Sequence, residues 1–346
     1  MKKNVLFMIA ILTILCVCIS SCTTQDNEAI SRSALDATSS VVNKQNFWHT
    51  FDSINTAYSN TNAMIATRVD SKPVITGELT TIKQKNFIGG KVADQLGKVA
   101  GGWCGKWAGG ALGSLTGNPA ITVFGVWSGR RVGQVAGAIV CSYLAEKYLC
   151  EKKGYSLTTF SILNPIGDIY INEDSMGVVH NKILSKLTKQ SNKYGTTNIN
   201  YDLIYNDCIQ LLKEEGIYND TIATDSVYRK DLIGYCKEVS QLATSCYEGK
   251  ISGEELLDTG ANSLKEEFNV CDEDITELKN MCTSITNTSN KKNCQEMQNY
   301  ANALSAAIKN ANGLNKNEKA NISSFVSVAM SSSAYWDNLE KQMNKQ

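Results

Sequence analysis

The hydrophobic positions of this 346-residue chain change pattern several times along its length. Val5 to Ile19 is an apolar run of 15 residues, short for a bilayer span of about 20 and suited to the apolar centre of a signal peptide. Thr23 to about Ser40 is polar and aperiodic and reads as a tether. Then Val41, Val42, Phe47, Trp48, Phe51, Ile54, Tyr58 and Ile65 recur near a spacing of 3.6, which predicts a short amphipathic helix within 41–84. Past a linker over 151–171, helical patterns continue to the end of the chain. Asn172 or Asp174 is placed to cap a helix through Leu187, Asn200 one through Leu212, and Ser252-Gly253-Glu254-Glu255 one through Phe268. Further helical patterns cover 225–247, 272–286, 290–311 and 316–341. Period-two alternation is never sustained and proline is absent after 165, so an all-α bundle is predicted over 172–346.

Between Gly89 and Gly137 lies a different grammar, holding 14 of the 25 glycines and three of the five tryptophans. Gly97, Gly101, Gly105, Gly109, Gly113 and Gly117 recur every fourth residue, and Gly125, Gly129, Gly133 and Gly137 keep that register after Asn118-Pro119. Two helices, 86–117 and 120–149, joined by a Gly-Asn-Pro turn account for the spacing. Each glycine costs a helix up to ~1 kcal/mol relative to alanine, and close backbone approach is the compensation that small residues at every fourth position permit. The predicted fold is therefore all-α: a glycine-zipper helical hairpin over 85–150 followed by a disulfide-bearing helical bundle.

Targeting follows from the first segment. Met1-Lys2-Lys3-Asn4 is a positive leader, and the apolar run ends in Ile19-Ser20-Ser21-Cys22, which resembles a bacterial lipobox. That resemblance implies cleavage before Cys22, diacylation of Cys22, and attachment to membrane lipid without a spanning helix. Thr23 after the cysteine implies the outer membrane, and Gln25-Asp26-Asn27-Glu28 resembles the acidic tether of surface-exposed Bacteroidetes lipoproteins. With the glycine repeats, the segment resembles the glycine-zipper outer-membrane lipoproteins, although Trp103, Trp107, Trp127, Cys104 and Arg130-Arg131 depart from that pattern. The repeats also resemble the Gly-x-x-x-Gly peptides of two-component bacteriocins, which implies a membrane-permeabilising toxin as the alternative.

Charge weighs against a true span. The apolar residues from Ile121 to Leu144 favour insertion by roughly 3–5 kcal/mol, and two central arginines oppose it by roughly 5–7 kcal/mol. Formal net charge is zero over the whole chain. Residues 85–150 carry Lys85, Lys91, Lys98, Lys106, Arg130, Arg131 and Lys147 against Asp94 and Glu146, a net +5, while 151–346 is −6. A basic, tryptophan-bearing segment can contact anionic lipid, self-associate, or dock on its own acidic bundle. A balanced whole-chain charge gives no footprint for nucleic acid.

Twelve cysteines are present. Outside the cytoplasm Cys104, Cys141, Cys150, Cys208, Cys236, Cys246, Cys271, Cys282 and Cys294 read as disulfide candidates, and without Cys-x-x-Cys spacing they do not read as metal ligands. Spacing cannot select the pairs; Cys141 or Cys150 is expected to join Cys104 or to reach across to the bundle.

Catalytic patterns are sparse. His49 and Asp52 share a helix face as a structural pair, and His180 has no nucleophile fixed beside it by spacing. No phosphate loop, His-Glu-x-x-His or Gly-x-Ser-x-Gly occurs, so neither an enzyme nor a cofactor is expected; an extracytoplasmic enzyme with a polar cleft around His180 ranks below the toxin as an alternative. Gly177-Val178-Val179-His180-Asn181, with Ser333-Ala334-Tyr335-Trp336, resembles a group of secreted Bacteroidetes proteins to which no activity attaches. The expectation is a lipid-anchored structural or interaction protein of the outer membrane or cell surface.

Overall fold

The computed structural model describes residues 46–59, 89–98, 119–157, 175–195, 198–217, 225–268, 270, 272–289 and 294–343. Cys22, Cys104, Cys271 and Gly101 to Gly117 lie outside them. Within this set the chain is all helical, with no strand. In chain order the helices are α1 (46–59), α2 (89–98), α3 (Pro119–Lys152), α4 (Met176–Lys189), α5 (Tyr201–Glu214), α6 (Ser226–Tyr247), α7 (Gly253–Phe268), α8 (Asp272–Ser289), α9 (Cys294–Asn310) and α10 (Lys316–Met343), with a 3₁₀ turn over Ser191–Tyr194.

Local chemistry sets many of these ends. Asn200 accepts from the Leu203 N–H at 3.0 Å, Asp225 from Val227 and Tyr228 at 2.9 Å each, and Ser252 from Glu255 at 3.0 Å. Asn315 and Glu318 close a reciprocal capping box at the start of α10. The cap of α4 departs from expectation: Ser175 occupies it without a side-chain cap bond, and 171–174 lie outside the described residues. α3 stops where Gly154 turns to φ 74° and the Tyr155 N–H returns to Cys150 O at 2.9 Å, a left-handed closure that only glycine makes without strain.

Most of the helices around it are amphipathic, whereas α3, like α2 and the 324–336 stretch of α10, is not. α5, for example, buries Ile204, Tyr205, Cys208, Ile209 and Leu212 and turns its other face outward. By contrast every residue of α3 from Val132 to Lys147 is buried, as expected of a helix placed at the centre of a bundle. α3 packs on α4, α5 and α6, and α10 closes over α4, α8 and α9. Val135, Ile139, Tyr143, Leu144 and Leu149 belong to one continuous core with Leu184, Tyr205, Leu232, Met330 and Trp336. Each large apolar side chain so buried contributes about 1.5–3 kcal/mol, which offsets the helix cost of the α3 glycines.

Candidate functional site

The described part of the glycine-rich segment forms the floor of a polar cluster inside the bundle. α2 is buried on all sides, including Lys91, Asp94, Gln95 and Lys98. Its glycines explain the depth. A Cβ on Gly97 would stand 2.5 Å from Cys141 Sγ and 2.6 Å from Gly137 O, and one on Gly89 would stand 2.5 Å from Ala243 O. Gly90 lies flat under the Trp336 indole. α2 thus meets the backbones of α3 and α6 and the Trp336 ring of α10, and Gly97 over Gly137 joins members of the two register halves. Gly133 is also buried in α3, and Gly125 and Gly129 lie farther along the same helix.

Asp94 is the centre of the cluster. Its Oδ2 accepts from Ser142 Oγ at 3.0 Å, from Trp336 Nε1 at 2.8 Å, and from Ser332 Oγ, while Oδ1 has no partner. Removal from water pushes its pKa up to about 8, against the opposing effect of those three donors, and Glu146 adds to the rise. One turn beyond Ser142, buried Glu146 accepts from Tyr335 Oη at 2.7 Å and Thr188 Oγ1 at 3.2 Å. Burial pushes it to about 7.

His180 completes the group from α4. Its Nδ1 is 3.0 Å from Asn181 Oδ1, and its Nε2 is 3.9 Å from Asp94 Oδ2, beyond hydrogen-bond reach. Desolvation lowers its pKa to about 4, with the Asn181 contact and the Ala138 backbone opposing. Between about pH 4 and 8 His180 and Asp94 are therefore both neutral, so their approach is not an ion pair. Two lysines of the segment are answered nearby: Lys91 meets Asp337 at 2.7 Å, and Lys147 meets Glu151 at 2.8 Å and donates to Gly195 O at 2.9 Å.

Two sequence elements far apart in the chain, Gly177 to Asn181 and Ser333 to Trp336, converge here. Gly177 seats its N–H on Ser327 Oγ at 3.0 Å with no room for a Cβ, and Asn181 donates to Ser331 O at 3.0 Å. The Gly-x-x-His-Asn face of α4 is thereby laid along the serine-rich face of α10, which carries Tyr335 and Trp336 to the two carboxyls. Asp94 and Glu146, counted from sequence only as the two acids of a basic segment, are the residues that the pattern did not reveal as central. Their partners lie as far as 242 positions away.

His49 and Asp52 sit together on α1, where burial raises the Asp52 pKa and His49 opposes the rise. The predicted disulfides are not seen among the described residues: Cys141, Cys150, Cys208, Cys236, Cys246 and Cys282 are free buried thiols. They fill the core as small apolar side chains. Cys294 begins α9. No metal-holding group of three or more His, Cys, Asp or Glu occurs among the described residues. A groove of about 380 Å³ between α1 and α9, lined by Phe47, Ile54, Ala303 and Ala307 among others, shares no residue with the polar cluster and presents no titratable side chain.

Asp94, Glu146 and His180 are all fully buried, so the cluster offers no substrate surface as it stands. It locks helices together. No family model, curated protein or solved structure matches this chain.

Proposed function

We propose that this is a lipid-anchored cell-envelope protein of structural or interaction type, held at the outer membrane or cell surface by acylated Cys22, whose glycine-zipper hairpin serves helix packing. The observation that supports it best is the close approach of α2 to α3 at Gly97, Gly137 and Cys141. Glycines spent in this way hold a helical pair inside the chain's own bundle, and two of the segment's basic residues, Lys91 and Lys147, find carboxylates of the same chain. No described helix is long and apolar enough to cross a membrane, in keeping with attachment by lipid. The polar cluster has a structural role in this reading, and neither a catalytic residue nor a cofactor is assigned. Replacing Cys22→Ala should move the protein from the membrane fraction to the soluble envelope fraction. Retention in the membrane would overturn the anchor.

The bacteriocin-like alternative draws on one specific observation, the concealment of an all-round buried helix inside amphipathic neighbours. Dye release from anionic vesicles by the full chain would favour it, and intact vesicles at saturating protein would remove it.

A further inference from the structure

Three described cysteines, Cys141 of α3, Cys208 of α5 and Cys236 of α6, gather in one place, with Cys236 beside both of the others. α3 and α6 run alongside each other in a constant register. Cys236 Sγ reaches Gly137 O at 3.6 Å, and one turn farther along both helices Ser240 Oγ lies 3.0 Å from Cys141 O. Glycine at 137 removes the side chain that would hold the helices apart, and Gly97 leaves open the space beside Cys141. Both thiols are fully buried. We propose that Cys141 and Cys236 form a disulfide site, joined when the chain folds in an oxidising compartment and stapling the central helix α3 to α6.

The pairing rests on the extracytoplasmic reading above, since thiols stay reduced in the cytoplasm. The oxidant is a disulfide-bearing thiol oxidant of the envelope or, in the test tube, glutathione disulfide. One cysteine thiolate attacks the oxidant's disulfide, forming a mixed disulfide and releasing one thiol. The second thiolate then attacks the protein sulfur of that mixed disulfide, forming the Cys141–Cys236 bond and releasing the other thiol. Two electrons pass to the oxidant, and the two protons lost by the cysteines end on its released thiols. Burial, with Cys236 beside it, holds the Cys141 thiol well above its ordinary range in the finished fold. The exchange therefore belongs to the stage before α3 is enclosed. Cys208 also neighbours Cys236 and is the competing partner.

The chain is well suited to the test. Cys141 is the one cysteine of the tryptic peptide 132–147, Cys236 of 231–237, and Cys208 of 194–213. The full chain, in detergent, is refolded with reduced and oxidised glutathione, blocked with iodoacetamide, and digested without reduction. Peptide 132–147 should appear linked to 231–237, with Cys208 alkylated, and the link should persist in Cys208→Ser and vanish in Cys141→Ser. Reduction should lower the melting midpoint by roughly 5 °C or more. Both peptides alkylated and unlinked, or 231–237 linked to 194–213, would overturn the proposal. The same digest on protein recovered from cell envelopes separates the two claims. A link formed in the refolding buffer but absent from cells counts against the compartment and leaves the pairing standing.

Discussion

α3 and α5 are both helices of this bundle, and they obtain their place by opposite means. α5 offers the core one apolar face, and its other face is open to water. α3 has no such division: from Val132 to Lys147 the polar residues Glu146, Gln134 and Lys147 are buried along with Ile139 and Leu144. An amphipathic helix tolerates small shifts against its neighbours, because its polar face needs no particular partner. A helix enclosed on all sides has to satisfy each polar group with a specific one. The enclosed helices α2 and α3, with the buried serine-rich stretch of α10, are therefore defined by close contact and polar keys, and amphipathic helices such as α5 by hydrophobic pattern. Substitutions should separate these two modes.

The largest effect is expected at the backbone contact. Gly97→Leu places a branched side chain where even a Cβ would stand 2.6 Å from Gly137 O. Main chain cannot move aside as a flexible side chain does, so a loss of about 3 kcal/mol or more is expected. A chemical denaturation midpoint unchanged from the parent would show that α2 and α3 do not meet at this point.

That contact was legible in the sequence, and much else at the centre was not. A four-residue glycine register has few physical uses, close helix approach chief among them, and Gly97 over Gly137 is such an approach. The caps Asn200 and Ser252 were equally readable, because their signals sit within three residues of the helix they open. The Asp94 cluster was not, since its three donors come from α3 and α10, and nothing in local spacing ties residue 94 to 142, 332 or 336. The Gly177-to-Asn181 and Ser333-to-Trp336 elements stood out as a resemblance, and their shared packing on α2 and α3 became visible only in three dimensions. Cysteine number suggests disulfides, while the burial of six described thiols as small apolar groups leaves no trace in spacing.

Next in size is a pH effect that the outer helices should lack. Asp94 and Glu146 hold protons to about pH 8 and about pH 7 in the fold, against ordinary values of 3.8 and 4.5. Their contribution is fully present below about pH 4 and is lost as pH rises through those folded values, by up to ~1.4 kcal/mol per pH unit for each retained proton. His180 acts in the opposite direction. Its pKa falls from 6.5 to about 4, so it costs stability only as pH drops below about 6.5. Between pH 7 and 8.5 stability should therefore fall by roughly 2 kcal/mol. Asp94→Asn, which keeps an acceptor for Ser142, Ser332 and Trp336 and carries no titrating proton, should remove most of that slope. Urea unfolding at the two pH values measures it, and an equal slope in the variant would exclude Asp94 as its source.

A smaller change should follow Trp336→Phe. It removes the 2.8 Å donor to Asp94 and retains an aromatic side chain over Gly90, for a loss of about 1–2 kcal/mol. The donor lowers the Asp94 pKa. Without it the pH at which stability declines should move upward, a shift that simple loss of packing does not produce.

The smallest effect has the opposite sign and marks where the central rule stops. Gly234 lies within α6 on its exposed side, and a Cβ there would meet nothing within 4 Å. Its φ is not in the positive range, so a side chain introduces no backbone strain. This glycine weakens its helix without supplying the close approach that Gly97 supplies. Gly234→Ala should therefore stabilise the protein by about 0.5–1 kcal/mol, through helix propensity and reduced freedom of the unfolded chain. A stabilised Gly234→Ala beside a strongly destabilised Gly97→Leu would show that burial against another backbone, and not glycine content, is what the centre of this bundle requires. A loss at Gly234 as well would mean that α6 has an unseen neighbour on its exposed side, which is where a partner would have to be sought.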